Sequence, residues 1–214
     1  MESQAEATPP RHCDVLVIGG GPAGSTVAPL LAEMGYQVVL LDKARHPRFH
    51  IGESLLPANL PLFERLGVGD EVRAIGMQKG GAEFVSPHPD HKQAFQFAEA
   101  WDTALPYAYQ VKRAEFDTVL IRNAARKGVM VHEGCKVRAV DFLPDDRGAV
   151  VRARPHDGRE EAWQARFVVD ASGRDTFLDN RSQLKQRNQR QNSSAVYGHF
   201  AGARRNAGQA EGNI

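Results

Sequence analysis

Short apolar runs set the rhythm of the first forty residues. Val15–Ile18 is an unbroken apolar stretch of strand length, and Val38–Leu41 is a second one, closed by Asp42. Between them lies a segment of helical length whose apolar face is carried on by Leu30, Leu31 and Met34, with Gly35 in the place of a C-cap. Pro29 falls inside the helix, where it removes one N–H and is expected to kink it or weaken its second turn. After Asp42 the pattern changes. Lys43–Pro57 is a polar loop rich in basic residues, His and Gly, and two short helices are expected at Ala58–Leu66 and Gly69–Ile75. Ala82–Val85, Ala94–Ala98 and Ala108–Val111 read as strands bounded by Pro, Gly and Asp. Ala114, Phe116, Val119, Leu120, Ala124 and Ala125 mark the apolar side of a helix stopped by Gly128. Val129–His132 then reads as a third strand of the first sheet. Lys136–Phe142, Ala149–Arg154 and Glu161–Val169 suggest an antiparallel meander with turns at Pro144–Gly148 and His156–Gly158. Thr176–Asn192 is polar and basic, a solvated helix or a loop, and Ala195–Ala201 suggests one more strand.

Composition narrows the setting. The 214 residues are enough for one or two domains with a substantial core. Basic and acidic residues nearly balance at 27 and 26, so the overall charge suggests neither a nucleic-acid partner nor a membrane surface. Residues 1–12 are polar and proline-containing, and are expected to be disordered; they lack the apolar centre of a signal peptide. No run reaches the length of a membrane span, so a cytoplasmic protein is expected. Cys13 and Cys135 make neither a metal pattern nor a disulfide framework, and both read as buried, inert thiols.

The chemistry is concentrated where the first strand ends. Gly19-x-Gly21-x-x-Gly24 follows the first apolar run directly, and Asp42 stands eighteen residues beyond Gly24. In such a β-α-β unit Gly19 makes the tight turn, Gly21 lets a pyrophosphate approach the backbone, and Gly24 lets helix and strand pack closely. The helix beginning near Gly21 points free N–H groups and its positive dipole end at that anion. Asp42 is placed to accept hydrogen bonds from adenosine ribose hydroxyls. The unit suits NAD or FAD; the extended loop and β-rich insertion that follow, in place of further βαβ units, favour a flavin. His46, His50, His88, His91 and His132 have no metal-ligand spacing, and no metal is expected. Glu53 beside Ser54 has no visible orienting partner and reads as structural. Arg181, Lys185, Arg187 and Arg190 form a basic run without interleaved aromatics, the mark of a solvated face rather than of nucleic-acid binding.

Four motifs in order make a more specific resemblance: Gly19-Gly20-Gly21-Pro22-Ala23-Gly24, then Gly52-Glu53-Ser54-Leu55-Leu56-Pro57, then Arg113-x-x-Phe116-Asp117, then Asp170-Ala171-Ser172-Gly173-Arg174. Together they resemble the motifs of flavin-dependent halogenases, within the wider group of FAD monooxygenases and geranylgeranyl reductases. The resemblance implies an α/β fold: a Rossmann-like FAD-binding βαβ sheet with an antiparallel β-meander and a β-rich insertion, expected to be incomplete. It implies an FAD-binding domain over residues 13–180 with the insertion around 76–112, and the start of a truncated substrate domain over 181–214. By the same resemblance, Gly19, Gly21 and Gly24 hold the FAD pyrophosphate and Asp42 the adenosine ribose, and Pro22, Ala23 and Lys43 also belong to the cofactor-binding set. Arg45 lies near the adenine, Ser54 near the isoalloxazine, and Arg113 at the phosphate and ribityl region. Val137 touches adenine through its backbone, and Asp170, Ala171 and Gly173 close over the nucleotide. The catalytic candidate is Lys79, in Gly76-Met77-Gln78-Lys79-Gly80-Gly81. In the family such a lysine orients hypohalous acid, or carries it as a haloamine, beside an aromatic or carrier-bound substrate. The bland reading of Lys79 is a solvated loop lysine.

The family's Trp-x-Trp-x-Ile-Pro motif is absent, since Trp101 and Trp163 stand far apart, so the chain is expected to be the N-terminal part of a longer protein. The lack of a second glycine-rich nicotinamide motif is compatible with reduced flavin supplied by a separate reductase. It is equally compatible with two alternatives to a halogenase: a monooxygenase or ene-reductase reduced directly by NADPH, and a non-catalytic FAD-binding module.

Overall fold

Apolar runs covered on both faces explain the centre of the molecule. A computed structural model describes residues 9–86, 91–100, 104–181, 196–198, 200–202 and 206–213. The expectations placed on residues 1–8, His88, Trp101, Lys185, Arg187, Arg190 and 182–195 fall outside these residues. In chain order the elements are β1 (Arg11–Ile18), α1 (Pro22–Glu33), β2 (Val38–Asp42), α2 (Leu60–Leu66), α3 (Gly69–Ile75), β3 (Met77–Lys79), β4 (Gly81–Val85), β5 (Lys92–Gln96), β6 (Ala108–Gln110), α4 (Arg113–Arg126), β7 (Met130–Glu133), β8 (Cys135–Phe142), β9 (Ala149–Pro155), β10 (Glu161–Asp170) and α5 (Phe177–Arg181).

Two compact units share the chain. One takes residues 1–50 and 114–184, the other 51–113 and 185–214. The first holds a six-stranded sheet in the order β7-β2-β1-β10-β9-β8. The β7, β2, β1 and β10 strands run parallel, and β10, β9 and β8 form the antiparallel meander. β10 joins the two halves. It pairs with β1 from Arg11↔Trp163 to Ile18↔Asp170, and with β9 over Glu161–Ala165.

Each central strand sends alternate side chains into different cores. Val15, Val17, Val38 and Leu40 pack with Ala28 of α1 and with Ile121 and Ala124 of α4. Leu16, Ile18, Val39 and Leu41 pack with Val137, Val151, Ala153 and Trp163 of the meander. A strand buried on both faces has no polar side, which is why the sequence shows solid apolar runs there. The α1 helix continues through Pro29 to Glu33. One lost N–H is tolerated because Val27, Ala28 and Leu31 anchor that turn on the sheet.

The second unit pairs β3 with β6 and β4 with β5, both antiparallel. Its core draws on Phe63, Leu66, Val68, Val72, Ala108, Tyr109 and Val111. It reaches back to residue 51, beyond the insertion expected around 76–112. The strand expected at Ala195–Ala201 does not form in its described residues, which are irregular; Val196, Tyr197 and Phe200 are exposed there rather than buried against a sheet.

Candidate functional site

The glycine turn between β1 and α1 is shaped by backbone. Gly19 has φ +105°, and a Cβ on it would stand 2.5 Å from the carbonyl oxygen of Ala171. A Cβ on Gly24 would overlap the carbonyl oxygen of Gly19, and one on Gly20 would lie 2.7 Å from Cδ1 of Ile121. Gly21 differs. It caps α1 with φ −72°, and the nearest atom to its absent Cβ is Nη2 of Arg48, 3.6 Å away. Pro22 supplies the preset φ of the first helical position, and the first turn, which includes Ala23, has no acidic residue. These residues fit a pyrophosphate: N–H groups at a helix start, no competing anion in the first turn, and backbone open to approach at Gly21.

Asp42 is 5% exposed, and its carboxylate is already engaged. One oxygen accepts the N–H of Gly20 at 2.6 Å and the other that of Ala44 at 2.7 Å. A carboxylate has about four acceptor positions, so Asp42 first fixes the glycine turn to the end of β2 and retains capacity for ribose hydroxyls. Lys43 pairs with Asp175 where both are exposed. Arg45 pairs with Asp157 at 2.7 Å and lies beside Gly134. Val137 is buried on β8, next to a register shift in the β8–β9 ladder. Asp170 accepts the N–H groups of Ser172 at 3.0 Å and Leu178 at 2.8 Å, and the Ser172 hydroxyl accepts that of Phe177 at 2.9 Å. Ala171 donates its N–H to the Ile18 carbonyl at 2.9 Å. The Asp170–Gly173 segment is thereby a fixed turn laid against Gly19. All these residues belong to the first unit.

Ser54, Lys79 and Arg113 belong to the second. Here the Gly-Glu-Ser segment lies along β6: Leu55 donates to Tyr109 at 2.9 Å, Val111 donates to Glu53 at 2.9 Å, and Ser54 bridges Gln110. On the other edge of β6, Lys79 pairs with Ala108. Ser54 and Lys79 are so brought together, and the ammonium donates to the Ser54 hydroxyl. It also lies 5.4 Å from the ring centre of Phe97, a cation–π contact. Lys79 is 2% exposed, so it is not the solvated loop lysine of the bland reading. Burial pushes its pKa below the ordinary lysine range. Two residues near the end of the sequence close around it. Asn213 accepts the Gly81 N–H at 2.8 Å, and a Cβ on Gly212 would lie 2.9 Å from Cβ of Lys79. Arg113 donates to the Ile51 carbonyl at 2.7 Å and lies against Gly52, whose φ is +91°. It holds the turn that leads into Ser54.

Arg48, Phe97 and Asn213 were not singled out by sequence reasoning, and Asp117 entered only as the last residue of the Arg113-x-x-Phe116-Asp117 motif, with no role given to it. A signal existed for Asp117, which stands three, four and seven residues before Leu120, Ile121 and Ala124 and so lies on the buried stripe of α4. A carboxylate on that stripe calls for a cationic partner. Among the described residues no cluster of His, Cys, Asp and Glu is arranged to hold a metal, and no helix is long and apolar enough to cross a membrane.

A parallel sheet with a glycine turn at its first crossover, an acid closing the second strand and a meander on one face defines a Rossmann-like dinucleotide-binding domain. The chain belongs to the FAD binding domain family, whose model matches residues 12–203. It is 38% identical over 208 residues to the flavin-dependent halogenase armH3 of Armillaria mellea, covering 94% of this chain and 40% of that protein. It is 32% identical to the 1H-pyrrole-2-carbonyl-[peptidyl-carrier protein] chlorinase of Pseudomonas fluorescens, over 87% of this chain and 45% of that one. The solved structure of the myxobacterial chondrochloren halogenase CndH aligns with a TM-score of 0.71 and 43% identity, covering 78% of this chain and 39% of the other. The chain thus spans about two fifths of the length of the relatives it matches.

Proposed function

We propose that this chain is the FAD-binding and lysine-bearing part of a flavin-dependent halogenase acting on an aromatic or carrier-bound substrate. The observation that carries the reading is Lys79: a 2% exposed ammonium whose contacts among the described residues are a serine hydroxyl and a phenylalanine ring rather than a carboxylate. A cation in such surroundings offers strong N–H donors and reaches the amine form more easily than a lysine in water. Reduced FAD with oxygen supplies the oxidising equivalents that turn halide into hypohalous acid. The chain's own residues have three tasks: the Gly21 turn receives the pyrophosphate, Asp42 and Asp170 keep the surrounding turns in place, and Lys79 holds or carries the oxidised halogen. Relatives that act on halogenation substrates, one of them carrier-bound by name, support this assignment. We assign the protein to the cytoplasm and its reduced flavin to a separate reductase.

The test uses the complete protein encoded by the source gene, supplied with reduced FAD, oxygen, chloride or bromide, and a panel of free and carrier-bound phenols, indoles and pyrroles. Halogenated product is expected from the native protein and none from Lys79→Ala, with FAD affinity within about twofold. Full product yield from Lys79→Ala would refute the role of the lysine. Rapid anaerobic bleaching of the flavin by NADPH alone would shift the assignment to a directly reduced monooxygenase or ene-reductase.

A further inference from the structure

We infer that Arg48 is a pyrophosphate-binding residue of the FAD site, aimed by the buried carboxylate of Asp117. This rests on the FAD-family assignment and adds a residue that none of the four sequence motifs assigns to the cofactor.

Asp117 is fully buried, on the stripe of α4 that packs toward the parallel sheet. An isolated buried carboxylate is costly, and the loop after β2 supplies a counter-charge: Nη2 of Arg48 lies 3.4 Å from Oδ2 of Asp117. Arg48 is only 20% exposed, so its guanidinium is held in place rather than swinging in solvent. The same Nη2 is the atom nearest the empty Cβ position of Gly21, at 3.6 Å. That is the one member of the glycine turn where backbone stands open to a ligand; Gly19, Gly20 and Gly24 are each blocked by atoms of the fold.

A purely structural ion pair would serve equally well anywhere along α4. This one brings a guanidinium to the spot where α1 presents its free N–H groups. A guanidinium has five N–H donors in a fixed fork, and the Asp117 contact engages a small part of that capacity. The remaining donors suit a doubly charged pyrophosphate, for which the helix start alone offers partial charge. Asp117 aims the fork, and it also offsets part of the positive charge when no nucleotide is bound.

The inference separates phosphate recognition from adenosine recognition, and that difference can be read directly. The probes are FAD, ADP and adenosine, titrated into the 214-residue chain by calorimetry and by flavin quenching at two salt concentrations. Arg48→Met keeps the length of the side chain and removes its charge. Its affinities for FAD and ADP are expected to fall by about tenfold or more, roughly the worth of one charge-assisted hydrogen bond. Adenosine affinity is expected to stay within about twofold, and the salt dependence of ADP binding to become shallower. Arg48→Lys retains a charge for Asp117 without the fork, and an intermediate loss for ADP alone is expected. It also serves as the working variant should Arg48→Met fail to fold. Unchanged ADP affinity in Arg48→Lys and Arg48→Met would overturn the inference. So would equal losses for ADP and adenosine, which would make Arg48 a strut of the loop. Absence of FAD binding by the unaltered chain, with ADP still bound, would count against the flavin assignment and leave the Arg48 result readable from ADP.

Discussion

At the end of β1 the chain prepares for an anion by leaving side chains out; around β3 it handles a cation by closing side chains over it. In the glycine turn, three absent Cβ atoms are replaced by a backbone carbonyl, a neighbouring side chain or the turn itself, and the fourth is left open at Gly21. Around Lys79 the constraint comes from a hydroxyl, a ring and a strand edge drawn from residues 54, 97 and 108. The first arrangement is closed at Gly19, Gly20 and Gly24 by atoms of Ala171, Ile121 and Gly19, and is open at Gly21. The second is drawn from residues distant in sequence around one buried ammonium. Substitutions at the closed glycines should therefore damage folding, whereas those at Gly21 and Lys79 should leave the fold standing.

The largest effect is expected at Gly24. A methyl group there overlaps the Gly19 carbonyl, so Gly24→Ala should cost about 3 kcal/mol or more and lower the melting temperature sharply. Thermal melts followed by circular dichroism check this, and a native-like melt would break the comparison at its start. Gly21→Trp sharpens it. The position has ordinary φ and open space, so the chain should fold with a near-native melt while losing flavin quenching altogether. Retained FAD affinity in that variant would mean that the pyrophosphate approaches elsewhere.

A smaller effect is expected at Lys79, and it depends on pH. Its folded-state pKa is lowered, so between that value and the ordinary 10.5 the unfolded chain binds more protons than the folded one, and stability from this group rises with pH. Lys79→Met lacks the burden of a desolvated charge. It should melt a few degrees above the native chain near pH 7, and the gap should narrow as pH approaches 10.5. Parallel pH–stability curves for the two proteins would break the claim that burial governs this lysine. The least perturbing measurement concerns Cys13 and Cys135, whose thiol pKa values burial pushes up to about 11. Neither should react with iodoacetamide at pH 8 in the folded chain, and both should after unfolding. Rapid labelling of either would show that the core between the sheet and the meander opens.

What could be read from the sequence follows the same division. The β-α-β unit was legible because both-face burial leaves solid apolar runs and the turn demands glycine at fixed spacing; β1, β2 and the three meander strands end within a few residues of where the pattern put them. At Pro29, through which the helix Pro22–Glu33 runs, a propensity argument weighs one missing N–H but cannot weigh the packing of Ala28 and Leu31 on the sheet. The contacts that bury Lys79 were beyond reach, since no local pattern says that Ser54 and Asn213 converge on β3 and β4. Asp42 shows the same limit. Its position was legible, but not that its two oxygens are first committed to the N–H groups of Gly20 and Ala44. Arg48 was hidden in a polar loop until the helix face carrying Asp117 was seen to be buried.

The contact between Asn213 and Gly81 sets a practical boundary for anyone reshaping this polypeptide. Residues 212 and 213 sit against the strand edge that carries Lys79, although they lie more than 130 positions further along the chain. A version trimmed to the sheet and its meander would look well folded by every measure of the first unit. It would nonetheless strip the cover from Lys79 and open its ammonium to water.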